Sequence, residues 1–270
     1  MRSLLISFAT VVAAVTWLAQ GASAAPIQTF DGPVTLSPTQ APGAWYVDRY
    51  APAGFVGGVN GGGRIGVLQH SINAADSGNA RPGAFSSAFY NTQGRKYDLA
   101  SGTTSMSIDL YVPAAWATTN SRMAGFWGTA TDASNAVSAF PIVEFTSDAM
   151  NPRFRGWDTL LGGFVDMGLP AGFAYDEWQT LNIDLIGTDF VYSIGNLSLS
   201  FDANGSTSIA NTILQGHNTT TGVTYDILWD NLQGPSAASE VPEPASIALW
   251  SLMSVAGLAA WRRRKLATAA

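Results

Sequence analysis

Three residues in the stretch "PRFRGWD" have the types and spacing of a sugar-binding face. Arg153, Arg155 and Trp157 occupy alternate positions, so a β-strand over 152–157 would place all three on one side. An indole ring stacks on a sugar ring, and guanidinium groups donate hydrogen bonds to hydroxyl groups or uronate carboxylates. The alternative is that these side chains pack at a sheet edge or pair with surface carboxylates. Single residues that are further candidates for outward faces are Asp109, Tyr111, Trp116 and Trp127, although for each single tryptophan a position in the core is the preferred interpretation.

The strongest candidates for hydrolytic chemistry are Glu144 and Asp148 in "PIVEFTSDAM". Hydrolysis of a glycosidic bond needs two carboxyl groups roughly 5 to 9 Å apart. A regular strand places residues four apart on the same face but about 13 Å from each other. The spacing therefore argues against hydrolysis, and Glu144 is interpreted as a charge at a strand edge.

Histidine-based catalysis has little support. The chain contains two histidines, His70 in "VLQHS", directly after Gln69, and His217 in the predicted loop "QGHNTTTG". No Gly-x-Ser-x-Gly motif is present for a serine nucleophile. The sequence therefore predicts no catalytic residue, unless Gln69, His70 and Arg155, or Glu144 and Asp148, converge in one cleft.

A structural calcium ion is a weaker hypothesis, and no other cofactor is expected. Asp202 and Asn204 place side-chain oxygens at alternate positions before Gly205, and Asp230 lies on the closing strand. The loop lacks the spacing and the distal glutamate of an EF-hand. A turn in which an Asp or Asn side chain accepts from the backbone is the preferred interpretation.

The charge and the absence of cysteine exclude several classes of function. The predicted terminal signals contain five of the 13 basic residues and one of the 19 acidic residues, which leaves a body with a net charge near −10. Such a surface repels nucleic acid, so no nucleic-acid partner is expected. Without cysteine there is no disulfide, thiol catalysis, zinc–thiolate site or iron–sulfur site.

Alternating apolar and polar residues predict strands throughout the body of the chain. In "TTSMSIDLYV", "WQTLNIDL" and "NLSLSFDANGS", every second residue is apolar. The Asn-Gly pair at 204–205 supplies the positive φ of a tight hairpin turn. The pattern predicts an all-β, two-sheet antiparallel jelly-roll sandwich over 25–235. Other predicted strands cover 44–50, 64–69, 85–90, 122–129, 139–146, 152–157, 189–194 and 224–230.

The order of three segments resembles the concanavalin A-like (laminin G-like) jelly roll. These segments are "YDEWQTLNIDL", "FVYSIGNLSLSFDANGS" and "TYDILWDNL". The closing "WDNLQG" also suits the galactose-binding jelly roll of many carbohydrate-binding modules. The chain departs from the E-x-D-x-x-E motif of laminarinase-type glucanases and lacks the Gln-x-His element of alginate lyases. Both departures argue against catalysis.

The two ends of the chain have the character of membrane signals. Residues 1–24 combine a basic start, an apolar run and small residues, which predicts a signal peptide cleaved after Ala24 or Ala25. A spacer at 236–240 precedes a predicted transmembrane helix over 246–261, followed by Arg262, Arg263, Arg264 and Lys265. By the positive-inside rule this basic cluster stays cytoplasmic, so the body lies outside the inner membrane.

The last part of the chain resembles the PEP-CTERM sorting signal of exopolysaccharide-producing Gram-negative bacteria. The resemblance covers 241–265, with Pro242, Glu243 and Pro244, one apolar helix and the arginine cluster. It implies that an exosortase recognises and removes the tail. Signal peptidase cuts the other end of the chain, and the inner membrane holds the chain before processing. The protein is then expected at the cell surface or outside the cell.

Three hypotheses about function remain open. The first is a carbohydrate-binding sandwich that contacts polysaccharide in an extracellular or biofilm matrix. The second is a glycan-active hydrolase or lyase on the same fold. The third is a structural biofilm protein that assembles through its sheet edges.

Overall fold

A computed structural model describes residues 26–73, 92–217 and 224–234. The predicted signal peptide (1–24), the strand at 85–90, the spacer (236–240) and the sorting segment (241–265) with its helix lie outside these residues. Within the described ranges, no helix has the length and hydrophobicity needed to cross a membrane.

The first sheet, sheet A, contains eight strands. In spatial order the strands are β15 (Leu197–Asp202), β14 (Asp189–Ile194), β13 (Glu177–Ile186), β7 (Ser105–Val112), β17 (Tyr225–Gln233), β5 (Arg64–Ile72) and β4 (Gly54–Gly61), with β1 at Pro26–Gln28. The C-terminal described strand, β17, lies in the interior of this sheet between β7 and β5, and β1 pairs with β17.

The second sheet, sheet B, contains nine strands. In spatial order the strands are β12 (Gly163–Gly168), β11 (Arg153–Asp158), β10 (Ile142–Thr146), β8 (Arg122–Thr131), β16 (Ser208–His217), β6 (Thr92–Asp98), β3 (Trp45–Val47) and β2 (Leu36–Ser37), with β9 (Val137–Ala139) paired to β8. The pairs of these described strands are antiparallel apart from the short parallel pair between β2 and β3.

The predicted all-β sandwich of two antiparallel sheets is confirmed. Successive strands β5, β6, β7 and β8 alternate between the sheets, as in a jelly roll. Two short 3-10 helices, Ala114–Thr118 and Asp148–Met150, lie on connections. Strands β4, β6, β12 and β16 were not predicted; β4 has four glycines in eight residues, which obscures its alternation.

The core lies between the sheets. The alternation of residues along each strand determines which side chains point into it. On β7, Met106, Ile108, Leu110 and Val112 are all buried in it, as their spacing predicted. Trp116, a candidate for an outward face, takes the core position that the sequence analysis favours for each single tryptophan. Trp116 lies in the core, stacked on Phe145 with ring centroids 5.7 Å apart, because the 3-10 helix turns it inward.

The turn after β15 forms as predicted but connects different elements. Asn204 and Gly205 have φ values of 52° and 73°, as the Asn-Gly pair requires. The chain then enters β16 of sheet B instead of pairing back onto β15. The predicted hairpin is therefore a crossing between sheets.

Candidate functional site

The predicted sugar-binding residues lie on one face of sheet B, the face that points away from sheet A. Strand β11 places Arg153, Arg155 and Trp157 on this face, while Phe154 between them is fully buried in the core. The register pairs Arg155 with Glu144, and Glu144 with Gly125 on β8. The outer face of sheet B therefore combines the predicted residues with a glutamate whose burial was not expected.

Glu144 is the centre of a buried ionic cluster, the Glu144 cluster, formed with Arg122, Arg155 and His217. Arg122 donates Nε to Oε1 at 3.2 Å and a terminal nitrogen to Oε2 at 3.0 Å. Arg155 donates Nε to Oε1 at 2.6 Å, and Nε2 of His217 lies 3.4 Å from Oε2. Glu144 and His217 have no exposed surface. The interpretation of Glu144 as a strand-edge charge is therefore wrong, because β10 has neighbours on both sides.

A register shift in the sheet brings Arg122 to this face. Strict alternation backwards from Trp127 would put Met123 on the outer face and Arg122 inside. Instead, the pairing of β10 with β8 shifts between Phe145 and Thr146, and Met123 joins the core. Arg122 is thereby turned towards Glu144.

The charge states in the cluster follow from burial and its two arginines. Burial alone would raise the pKa of Glu144, but Arg122, His217 and Arg155 outweigh it and hold that pKa well below its usual value. Burial, aided by Arg122, lowers the pKa of His217 to about 4. At neutral pH the cluster is a carboxylate between two guanidinium ions, with a neutral imidazole beside it. Such a carboxylate accepts hydrogen bonds and does not serve as a general acid.

Trp127 lies flat on the outer face beside the cluster. A Cβ on Gly125 would come within 2.4 Å of its Nε1, so the glycine makes room for the indole. Trp127, Ile142 and Ile213 form a separate small apolar cluster against which Trp157 and Phe164 pack. Trp127 is therefore on the predicted face but only 1% exposed, which makes it a support and not an open platform.

A more open region, the β11–β12 margin, adjoins the Glu144 cluster. It consists of Arg153, Trp157, Phe164, Asp148 and Asp166. The Arg153 guanidinium binds Asp148 at 2.8 Å and Asp166 at 2.7 Å, and these carboxylates are 35% and 54% exposed. Trp157 is half-buried, with its ring edge-on to Phe164 at 5.0 Å.

The guanidinium of Arg155 connects the cluster to the margin. It binds Asp148 at 3.2 Å as well as Glu144, so these two carboxylates converge on one side chain. Strict strand geometry would hold them apart, but the chain turns out of β10 into the 3-10 helix at Asp148. Phe164 covers this guanidinium, with its ring centroid 4.2 Å from Cζ.

Gln69 and His70 are not part of this face. His70 on β5 is buried inside the sandwich, where its Nε2 hydrogen bonds with the carbonyl oxygen of Gln93 at 3.1 Å. Burial lowers its pKa to about 3. Gln69 points to the outer face of sheet A. The convergence of Gln69, His70 and Arg155 is therefore contradicted.

The three calcium candidates do not come together. Asp202 accepts a hydrogen bond from the backbone of Asn204 at 2.7 Å, which is the turn that the sequence favoured over a calcium site. Asp230 lies on β17, with β7, β13 and β14 between it and β15. Among the residues that the structure describes, no three His, Asp or Glu side chains group closely enough to hold a metal ion.

The structure contains two ionic groups that the sequence did not predict, because each joins residues that are not neighbours in sequence. The Glu144 cluster joins β8, β10, β11 and β16, and its members are far apart along the chain. On the outer face of sheet A, Arg64 binds both Asp109 and Asp230, 45 and 166 residues away. The only sequence signal is that such charges interrupt otherwise apolar strands.

Comparisons with known proteins give a fold. No protein-family model matches the chain, and no curated protein matches its sequence. Among solved structures, a GlcNAcα1-4Gal-releasing endo-β-galactosidase from Clostridium perfringens aligns at a TM-score of 0.51 and 12% identity, over 77% of this chain and 61% of that one. A glycoside hydrolase family 16 endo-glucanase from Bacteroides ovatus aligns at 0.45 and 10% identity, over 70% and 94%. A sialidase aligns at 0.45 and 12% identity, over 72% of this chain and 17% of that one. The similarity to the endo-β-galactosidase shows a shared sandwich fold.

Proposed function

We propose that this chain is an exported β-sandwich that binds glycan through the β11–β12 margin of sheet B. The observation that carries the proposal is that Arg153 and the half-buried indole of Trp157 lie on the same face of β11, with the carboxylates of Asp148 and Asp166 at the guanidinium. Together they offer an aromatic surface for a sugar ring and both donors and acceptors for its hydroxyl groups.

The Glu144 cluster supports this margin from below. Arg155 is tied to Glu144 and Asp148 and covered by Phe164, so its orientation is fixed before a ligand arrives. A preorganised surface loses less conformational entropy on binding than a flexible one. The buried cluster is therefore interpreted as the foundation of the binding surface.

The test is retention of the purified full-length chain on neutral and acidic polysaccharides, with and without calcium. We expect retention on at least one polymer, and the Trp157→Ala variant should bind about tenfold more weakly because a stacking surface is lost. Ile186→Ala, at an exposed apolar residue of sheet A, is the matched control and should bind as the unmodified chain does. Equal binding by the Trp157→Ala variant would refute the assignment to this margin.

A glycan-active enzyme is the second candidate, and the convergence of Glu144 and Asp148 on Arg155 favours it. The low pKa and complete burial of Glu144 oppose a role as general acid. The same experiment separates the two functions if the supernatant is assayed for released or unsaturated sugars. Product that disappears in an Asp148→Asn variant would establish the enzyme.

Export and sorting form a separate part of the proposal and rest on the terminal sequences. We expect signal peptidase to cut after Ala24 or Ala25, and an exosortase to remove the tail beginning near Pro242. Mass spectrometry of the chain from a host with an exosortase, compared with an exosortase-deficient host, measures both cuts. A Glu243→Ala chain that is still trimmed would contradict recognition of the motif.

A further inference from the structure

A cleft of about 220 Å³ lies on the opposite side of the molecule, between the outer face of sheet A and the hairpin of β4 and β5. Its floor contains Tyr111 of β7 and Leu228 of β17. Its polar walls contain Gln69 of β5, Asp226 of β17 and Asn60 at the end of β4. This cleft is separated from the β11–β12 margin by the whole thickness of the sandwich.

Glycines let the hairpin approach the sheet closely enough to form the cleft. A Cβ on Gly61 would lie 2.7 Å from a methyl group of Leu228, and one on Gly62 would lie 2.8 Å from the Tyr111 ring. Gly62 also has φ +58°, a conformation that other residues rarely adopt. Its carbonyl oxygen accepts a hydrogen bond from Nε1 of Trp178 at 2.7 Å, which fixes the hairpin tip.

Contacts that run from Arg64 through Trp178 hold the aromatic ring of the cleft in place. Arg64 donates one guanidinium nitrogen to Asp109 at 2.7 Å and to Asp230 at 2.8 Å. Its Cζ lies 4.2 Å from the ring centroid of Trp178, and this ring lies 5.5 Å from the ring of Tyr111. These successive contacts orient Tyr111, whose ring borders the cleft.

The polar walls supply acceptors and donors on two sides of the ring. The Asp226 carboxylate is exposed and accepts from the hydroxyl of Ser71 through Oδ1 at 2.6 Å. The Gln69 amide lies one strand away, and Asn60 faces it from the hairpin. A carboxylate and two amides around an aromatic floor match the alternating hydroxyl groups and the apolar C–H face of a sugar.

We propose that this cleft binds a single neutral pyranose residue, at a site distinct from the β11–β12 margin. Its volume of about 220 Å³ suits one ring and not a longer segment. The Asp226 carboxylate disfavours an acidic sugar. The site stands on the geometry of sheet A alone and does not require the proposed function of sheet B.

The test is a titration of the ¹⁵N-labelled full-length chain with methyl glucopyranoside, methyl galactopyranoside and methyl mannopyranoside, followed by amide chemical shifts. We expect at least one glycoside to shift the signals of Gly61, Gly62 and the Gln69 side chain. The Asp226→Ala variant should bind about tenfold more weakly, because a charged acceptor is lost. Tyr111→Leu should weaken binding similarly while keeping an apolar side chain.

A matched variant and a second probe distinguish sugar binding in the cleft from binding elsewhere. Ile186→Ala changes an exposed residue of sheet A away from the cleft and should leave the titration unchanged. The Asp226→Ala variant changes an exposed side chain, so its result decides the matter even if Tyr111→Leu does not fold. Shifts caused by tetramethylammonium but by none of the glycosides would overturn the proposal in favour of an organic cation. Glycoside shifts confined to residues 153–166, or absent altogether, would also overturn it.

Discussion

The outer faces of the two sheets carry ionic groups in which the signs of the central and flanking charges are reversed. On sheet B one carboxylate, Glu144, lies between the guanidinium groups of Arg122 and Arg155. On sheet A one guanidinium, Arg64, lies between the carboxylates of Asp109 and Asp230. Both groups lie among aromatic rings, but the first is sealed, whereas the Arg64 side chain is 33% exposed.

The difference in burial changes what each group does. In the sealed group, Glu144 has no exposed surface, so no water replaces a partner that this carboxylate loses. In the open group, water screens the charges and the contribution to stability is small. The first group therefore serves mainly to fix the structure, while the second leaves a neighbouring surface accessible. Four predictions test this contrast.

The largest expected effect is that of Glu144→Gln on stability. It takes from Arg122 the carboxylate that it binds and leaves Arg155 with Asp148 alone, which should lower the free energy of unfolding by about 3 to 5 kcal/mol. The midpoint of urea denaturation measures this. Asp166→Asn is the matched control, because Asp166 is on the same face but 54% exposed, and should change stability by less than about 1 kcal/mol. Similar losses for both variants would contradict the sealed cluster.

The next effect is a loss of stability in mild acid. The pKa values of His217 and His70 are lowered by burial from 6.5 to about 4 and about 3, so the unfolded chain takes up protons first as the pH falls below 6.5. The free energy of unfolding should therefore fall between pH 6.5 and 4.5 by up to about 1.4 kcal/mol per pH unit for each histidine. His217 faces the guanidinium groups of Arg122 and Arg155 and the carboxylate of Glu144, whose pKa these neighbours hold well below its usual value. His217→Gln should remove about half of the slope, and an unchanged slope would refute its burial as a neutral group.

A smaller effect is expected from Gly125→Ala. The new methyl group would fall 2.4 Å from Nε1 of Trp127, a ring that is almost fully buried, and should lower stability by about 1 to 3 kcal/mol. Thermal unfolding and tryptophan fluorescence measure the change. Gly163→Ala, where the nearest atom would be 3.9 Å away, is the control and should have little effect.

The smallest effect is expected from Arg64→Met. Because Arg64 is one-third exposed, its loss should reduce stability by about 1 kcal/mol or less at neutral pH. Burial already raises the pKa of Asp230 above its usual value, and this carboxyl becomes harder to ionise without Arg64. Because its folded pKa is raised, Asp230 takes up a proton in the folded chain before it does in the unfolded chain. The stability deficit of the variant relative to the unmodified chain, measured by urea denaturation, should therefore shrink as the pH falls towards 4. A loss as large as that of Glu144→Gln would remove the distinction between the two groups.

The sequence predicted the strands whose alternation is undisturbed, and the reason is physical. On β7, β13 and β15 one side faces the core, so period-2 patterning is imposed on the sequence. The same alternation correctly placed Arg153, Arg155 and Trp157 together. It failed for β4, where four glycines carry no pattern.

The ionic groups could not be predicted, because they depend on the register and on the spatial order of the strands, and neither is encoded in a local stretch of sequence. The position of Arg122 depends on a register shift within β8 and β10, which reverses the expected face. The contacts of Arg64 depend on the order of strands in sheet A, since its partners lie 45 and 166 residues away. Likewise, the residues around His217 predict a loop, but His217 ends β16.

The interior position of β17 has a consequence for when the chain folds. This strand, the last that the structure describes, lies between β7 and β5 and is the one described strand that connects them, and it also pairs with β1. Until residues 225–233 are available, sheet A consists of two fragments that cannot complete their hydrogen bonding. In a chain that emerges N-terminus first, whether from a ribosome or across a membrane, sheet A therefore stays incomplete until residues 225–233 have emerged. Closure is a late, long-range event, and the partly made chain is available to the machinery that handles unfolded polypeptides.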